Sequence, residues 1–201
     1  MRVLFIGNSH TYYNDLPERF RQICVSEGVP VEVTMLAHGG KGLDFHRNEP
    51  EVRFNILYGN YDWVVLQHLA HPFDNEPLMF EAAKEIDRYV QQTCAKKLLY
   101  MTWSEQENPQ GQERMTNAYR RLGRELGATV APVGVAWWEC QRQYPDIGLF
   151  DTDRRHATPL GSSLAACVIY EAMFRPEKAV CCRTVGTEIA QLAHAVIQSW
   201  K

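Results

Sequence analysis

The chain has 201 residues, of which 45% are hydrophobic and 22% charged, with a formal net charge of -3. That is enough apolar material for one compact domain with a sizeable core, and no linker, internal repeat or low-complexity tract divides it. The slightly acidic balance argues against a nucleic-acid binder and leaves no basic patch for a membrane surface, and no apolar run is long enough to span a bilayer.

The chain opens directly on a strand rather than on a signal peptide, so a soluble, cytoplasmic protein is expected. Val3, Leu4, Phe5 and Ile6 form a short apolar run of the kind that is buried in a sheet, and Gly7 ends it with a residue that permits a sharp turn. Ser9 therefore falls just past the carboxyl end of a strand, the edge at which open α/β sheets bind ligands. By itself the segment Asn8 to Thr11 reads first as ordinary loop polarity before a helix. Asn14 or Asp15 is placed to cap that helix, with Pro17 in its first turn and Phe20, Ile23 and Cys24 at helical spacing up to Gly28.

Val29 to Ala37 reads as the second strand and runs into His38-Gly39-Gly40-Lys41-Gly42. Glycine lets a backbone N–H approach a ligand closely, as an oxyanion hole requires, but a plain turn has the same composition. A short helix is expected between Leu43 and Tyr58, then a third strand over Tyr61 to Gln67. Pro77 to Cys94 carries a helical stripe, and Lys97 to Trp103 reads as a fourth strand. The following loop contains Glu105. Met115, Tyr119, Leu122 and Leu126 mark a helix that Gly127 terminates, and Thr129 to Val133 is the fifth strand. Gly134 to Tyr144 is expected to be helical, and its adjacent Trp137 and Trp138 cannot both face one core.

Asp153 stands three residues before His156, close enough to fold its carboxylate back onto the imidazole. The Nδ1–H would then point at Asp153 and leave Nε2 free to take a proton from a hydroxyl. Asp151 is the second choice for the orienting carboxylate. A serine needs such a base, because at its own pKa it is a weak nucleophile. Thr158 is placed as an N-cap with Pro159 at the first helical position, and the helix that follows is expected to bury Leu164, Ala165, Val168 and Tyr170 or Ala172. Thr187 to Trp200 closes the chain as an amphipathic helix. Alternation of strand and helix about five times predicts a parallel sheet with helices on both faces.

Six cysteines include Cys24 and Cys167 within expected helices and the adjacent Cys181 and Cys182. Without a secretory signal they read as mostly reduced core residues. His68 and His71, together with His38, His46 and His10, raise the idea of a metal site. No metal-ligand spacing accompanies them, so no metal is expected, and His10, His68 and His71 are expected to line a substrate pocket.

Gly7-Asn8-Ser9-His10-Thr11 after the first strand, and Asp153-Arg154-Arg155-His156 before a core helix, together resemble the SGNH (GDSL-type) hydrolase superfamily. The resemblance runs through most of the chain in order: nucleophile, glycine block, amide-bearing block, Asp-x-x-His. It implies a Ser-His-Asp esterase on a three-layer α/β/α sandwich with a parallel, about five-stranded flavodoxin-like sheet, acting on a small-molecule ester without metal or organic cofactor. Ser9, Asp153 and His156 fall at the catalytic positions. The oxyanion donors it implies are the N–H groups of Ser9 and Gly40, with Gly39 as the fallback, and the side-chain amide of Gln67. Gln67 departs from the usual Asn of a Gly-x-Asn-Asp block, since the chain reads Leu66-Gln67-His68-Leu69. Two rival readings remain: a noncatalytic nucleotide- or phosphate-binding module on the same sheet edge, and a His-based metal hydrolase. The first loop lacks the glycine-rich phosphate cradle that the former needs. Neither the acyl group, the alcohol nor the oligomeric state is legible.

Overall fold

The computed structural model describes residues 1–180 and 185–200, so Cys181 and Cys182 lie outside the described residues. Five strands form one sheet: β1 (Arg2–Gly7), β2 (Glu32–Ala37), β3 (Trp63–Leu66), β4 (Lys96–Tyr100) and β5 (Thr129–Ala131). Their order is β2-β1-β3-β4-β5 and every pairing is parallel. This is the flavodoxin-like order, with a topological switch point between β1 and β3, where ligand-binding crevices open at the carboxyl ends of the strands.

The helices are α1 (Ser9–Tyr12), α2 (Leu16–Ser26), α3 (Leu43–His46), α4 (Pro50–Tyr58), α5 (Glu76–Val90), α6 (Gly111–Leu126), α7 (Val133–Gln143), α8 (Pro159–Phe174) and α9 (Thr187–Ser199). Strand alternation divides the interior in two. Val3, Phe5, Trp63, Val65, Leu98, Tyr100 and Ala131 face a core built with α2, α7, α8 and α9. Leu4, Ile6, Val64, Leu66, Leu99 and Val130 face the other core, built with α3, α4, α5 and α6. A three-layer α/β/α sandwich results, because a central parallel sheet with two apolar faces must cover both. Each fully buried Val, Leu, Ile or Phe contributes about 1.5–3 kcal/mol relative to exposure.

The strands are shorter than the apolar runs suggested. Val29 to Val31 precede β2 and Met101 to Trp103 follow β4, although Met101 and Trp103 are both buried. The register explains this: β1 pairs from Arg2 opposite Glu32 to Gly7 opposite Ala37, and β4 pairs with β5 only up to Tyr100. Met101 makes the last backbone bond to β5, its N–H donating to the Ala131 carbonyl at 3.1 Å, and beyond it apolar character reports burial alone. The single helix expected over Leu43 to Tyr58 is two, α3 and α4, with Pro50 beginning the second.

Thr158 caps α8 as expected, its hydroxyl oxygen accepting the Gly161 N–H at 3.2 Å, with Pro159 in the first turn. α8 departs from the expected one-sided stripe, however. Every residue from Gly161 to Ala172 is buried, because the helix packs against α2, α7 and α9 at once. Cys24, Cys140 and Cys167 are buried in this half of the core, while Cys94 is exposed. Trp137 is fully buried and stacks on Trp103 at 3.7 Å, whereas Trp138 lies partly outside and donates its indole N–H to the Ser104 hydroxyl at 3.0 Å. The adjacent pair does divide its faces.

Gly7 occupies a point of close approach. A Cβ there would stand 2.3 Å from Thr11 Oγ1 and 2.5 Å from Gln67 Oε1, in a completely buried setting. Gly7→Ala is therefore expected to destabilise the protein by about 1–3 kcal/mol, the usual range for overpacking. Urea denaturation checks this; an unchanged midpoint would mean that the strand end is not packed as described.

Candidate active site

The site assembles where β1 ends. Asn8 caps α1: its side-chain oxygen accepts the His10 N–H at 3.1 Å, and its amide donates to the Lys41 carbonyl at 2.8 Å. The loop after β1 is thereby tied to the glycine loop after the neighbouring strand β2. In that glycine loop the Lys41 N–H closes a turn onto the His38 carbonyl at 3.1 Å, with Gly40 at φ +68, a conformation that favours glycine. Gly39 and Gly40 are both exposed at the crest of this turn. Ser9 stands at the first position of α1, half-buried.

The Asp153–His156 segment arrives from the opposite end of the sequence. It is a loop whose base is closed by an antiparallel bridge between Phe150 and Ala157 and by the Asp151 N–H donating to the His156 carbonyl at 2.8 Å. The turn inside it places Arg154 in the left-handed region at φ 61. Asp153 Oδ1 accepts the backbone N–H groups of Arg155 and His156, both at 2.9 Å. Its other oxygen, Oδ2, lies 2.5 Å from His156 Nδ1, and His156 Nε2 lies 2.8 Å from Ser9 Oγ. A carboxylate can only accept, so Nδ1 carries the proton, Nε2 is the acceptor, and the Ser9 hydroxyl donates to it.

Burial acts to raise the Asp153 carboxyl, but the hydrogen bonds from the His156 ring and from the two backbone N–H groups outweigh it and hold the carboxyl at about 2. Asp153 therefore stays ionised and fixes the imidazole tautomer. Asp151, the alternative carboxylate, instead accepts the N–H of Thr152 and is exposed.

Gln67 departs from its expected role. It is completely buried, its side-chain oxygen accepts the Asn8 N–H at 2.8 Å and the Thr11 hydroxyl at 2.9 Å, and its amide nitrogen donates to the His68 carbonyl. The amide is turned down into the core, where it secures the nucleophile loop from beneath.

The three histidines expected to line a pocket divide likewise. His68 accepts the Leu43 N–H at 3.1 Å and so fastens the start of α3 to the end of β3. His10 and His71 lie together beside the relay, with ring centroids 5.0 Å apart, and His10 stacks on His156 at 5.0 Å and 20°. His71 borders a cavity of about 210 Å³ shared with Ser104 and Glu105. Another cleft, about 530 Å³, adjoins His156 and is lined by Glu105, Glu107, Thr152, Asp153, Arg154 and Arg155. Glu105 pairs with Arg155 at 2.9 Å and Glu107 with Arg154, joining the loop after β4 to the His156 loop. Among the described residues, no three His, Cys, Asp or Glu side chains are grouped to hold a metal ion, and no helix is long and apolar enough to cross a membrane.

Two positioning residues carried no sign of this role in the sequence, where Asn14 read as a candidate helix cap and Trp103 as a strand residue. Asn14 adopts φ 52, and its amide donates to the Ala157 carbonyl at 2.8 Å and to the Ser162 hydroxyl at 3.0 Å. Trp103 donates its indole N–H to the Arg155 carbonyl at 2.8 Å. The only hint was an Asn-Asp pair at 14–15, a composition suited to left-handed backbone.

Burial makes His10, His68 and His71 poor bases. His10 is driven well below its ordinary value by desolvation and then by the neighbouring His71 and His156. Desolvation alone dominates for His68 and His71, each pushed down to about 4. Below about pH 6.5 the unfolded chain takes up protons that these native side chains refuse. Stability is thus expected to be full above pH 6.5 and to decline toward pH 4, by about 1.4 kcal/mol per pH unit for each histidine. Urea midpoints across that range check this, and in His68→Gln the slope should lose one such increment; a flat profile would contradict it.

No family model matches the sequence, and no curated protein resembles it in sequence. Solved structures do resemble it. A DUF4886 family protein from Bacteroides uniformis superposes with a TM-score of 0.77 at 16% identity, covering 99% of this chain and 95% of its own. An acetyl xylan esterase, AlAXEase, gives 0.67 at 15% identity, over 87% of this chain and all of its own length (100%). A member of the lipolytic protein G-D-S-L family from Veillonella parvula gives 0.68 at 12% identity, over 88% and 100% respectively. At such identities the likeness is one of fold. The chain has the fold of the GDSL-type hydrolases, the SGNH superfamily that its terminal motifs resemble.

Proposed function

We propose that the protein is a serine esterase that hydrolyses a small carboxylic ester through a Ser-His-Asp triad and an acyl-enzyme. The observation that carries this reading is the continuous relay from Asp153 Oδ2 to His156 Nδ1 at 2.5 Å and from His156 Nε2 to Ser9 Oγ at 2.8 Å. The serine lies at the carboxyl edge of a parallel sheet and the relay is open to solvent, with 22% of the His156 side chain exposed.

In this mechanism His156 takes the Ser9 proton as Oγ bonds to the ester carbonyl carbon. The imidazolium then gives that proton to the departing alcohol oxygen as the ester C–O bond breaks. Water, deprotonated by the same Nε2, attacks the acyl-enzyme, and Ser9 regains its proton as the acid is released. Asp153 holds the tautomer and the charge of His156 throughout. The oxyanion is held by backbone N–H groups, those of Ser9 and Gly40, each contributing on the order of 3 kcal/mol to lowering the barrier. Gln67 supports the Ser9 loop instead of donating to the oxyanion.

The surface beside the base is polar. The roughly 530 Å³ cleft next to His156 is bordered by two Arg, two Glu, an Asp and a Thr besides the imidazole itself. That surface suits a hydroxyl-rich alcohol such as a sugar better than an alkyl chain, and a short acyl group such as acetyl is the reading most in keeping with the acetyl xylan esterase among the structural neighbours.

Ser9→Ala and His156→Ala are each expected to lower turnover of acetyl esters by a factor on the order of 10⁴ or more while leaving the circular dichroism spectrum unchanged. A fluorophosphonate should add once to the wild-type protein, on the peptide bearing Ser9, and not to Ser9→Ala. No adduct on folded wild-type protein would remove the nucleophile from its role.

A further inference from the structure

Hydrogen bonds fix the His156 ring only at its edges, through Asp153 and Ser9. Its faces are held by two aromatic rings. Tyr13 stacks on it at 4.2 Å between centroids with the planes inclined by 15°, and His10 at 5.0 Å and 20°. Both come from the segment that carries Ser9, and side-chain hydrogen bonds onto the backbone hold the two segments in register. Asn14, next to Tyr13, donates its amide to the carbonyl of Ala157, next to His156, at 2.8 Å, and the Ser162 hydroxyl donates to the Tyr13 carbonyl at 3.4 Å.

We propose that Tyr13 is a positioning residue for the reaction, one that holds the His156 imidazole in plane between Ser9 and Asp153 and stabilises its protonated form through the face of the phenol ring. This inference deepens the esterase reading and rests on His156 as the base. An aromatic face is electron-rich and attracts a cation stacked within about 6 Å of its centroid. The imidazolium formed as Ser9 attacks is such a cation. His10 suits its own place because burial keeps it neutral, so it contributes a flat wall without a repelling charge. Besides His10, the charged or titratable groups around His156 are Asp153, Arg154 and Arg155 on its own loop, His71 from the loop after β3, and Glu105 and Glu107 from the loop after β4, with Glu107 paired to Arg154. Asp153 supplies the edge-on charge and Arg155 is paired with Glu105. The face of the ring is left to Tyr13.

The test compares Tyr13→Leu, which keeps apolar bulk but removes the ring, with Tyr13→Phe, which keeps the ring. NMR titration of the His156 ring signals in substrate-free protein needs no assumption about activity. The midpoint is expected to fall by roughly 0.4–1.5 pH units in Tyr13→Leu and to stay in place in Tyr13→Phe. With an acetyl ester, kcat of Tyr13→Leu should drop by about 3- to 30-fold with KM little changed, the acid limb of the pH profile moving with the NMR midpoint, and Tyr13→Phe should restore both. A midpoint that does not move in folded Tyr13→Leu, or that moves equally in Tyr13→Phe, overturns the proposal. If the midpoints behave as expected but wild-type protein hydrolyses no ester, the stacking role stands and the esterase reading falls.

Discussion

Ser9 and His156 are separated by 147 positions, and the 2.8 Å hydrogen bond between them depends on how firmly two segments are joined. The join is a set of hydrogen bonds around Asn14. Its amide reaches the Ala157 carbonyl and the Ser162 hydroxyl, while Arg19 donates to the Asn14 carbonyl at 2.7 Å and to the Ser163 hydroxyl at 3.0 Å. The left-handed backbone at Asn14 and Asp15 turns the chain from α1 into α2 at this point. Below it α2 packs along α8, the most completely buried helix, so the hydrogen bonds rest on a rigid apolar contact. Loops that carry reactive groups hold their geometry only when a scaffold of this kind limits their freedom.

A second set of restraints comes from the middle of the sheet. The loop after β4 grips the His156 loop through Trp103, through the Glu105–Arg155 pair and through the Gln106 N–H on the Arg154 carbonyl at 3.0 Å. Trp103 is in turn stacked on Trp137 of α7 and bounded by His10 at 5.0 Å. The exposed ion pairs here add little stability individually, since solvent screens them and side-chain entropy opposes them. Their effect is to restrict where Asp153 and His156 sit. Meanwhile the histidines beneath the surface are kept neutral by burial, which leaves Asp153 as the strong local charge acting on the imidazole.

The expected strand and helix order, the α/β/α layering and the cap at Thr158 were legible because each is encoded locally. Period-two and helical spacing report which face of a segment is apolar, and an N-cap is a contact within one turn. The Asp153–His156 bond was legible for the same reason, as both groups lie in one short loop. Gln67 was not, because Asn and Gln both offer an amide at the end of β3 and nothing in the linear order says which way that amide points. His68 and His71 were equally opaque: residue type gives the chemistry a ring can do, and packing decides which nitrogen faces what.

The order of residues already encodes the alternation that requires a two-faced parallel sheet, the position of Ser9 at a strand end, and the pairing of an aspartate with a histidine one turn apart. That these two ends meet, that Gln67 supports the loop from below, and that Tyr13 and His10 cover the faces of His156 emerge only from the packed fold. The difference is one of range. Backbone propensity and apolar periodicity act over a few residues, whereas contacts between residue 9, residue 13 and residue 156 exist only after strand order and helix packing have fixed the distances between loops.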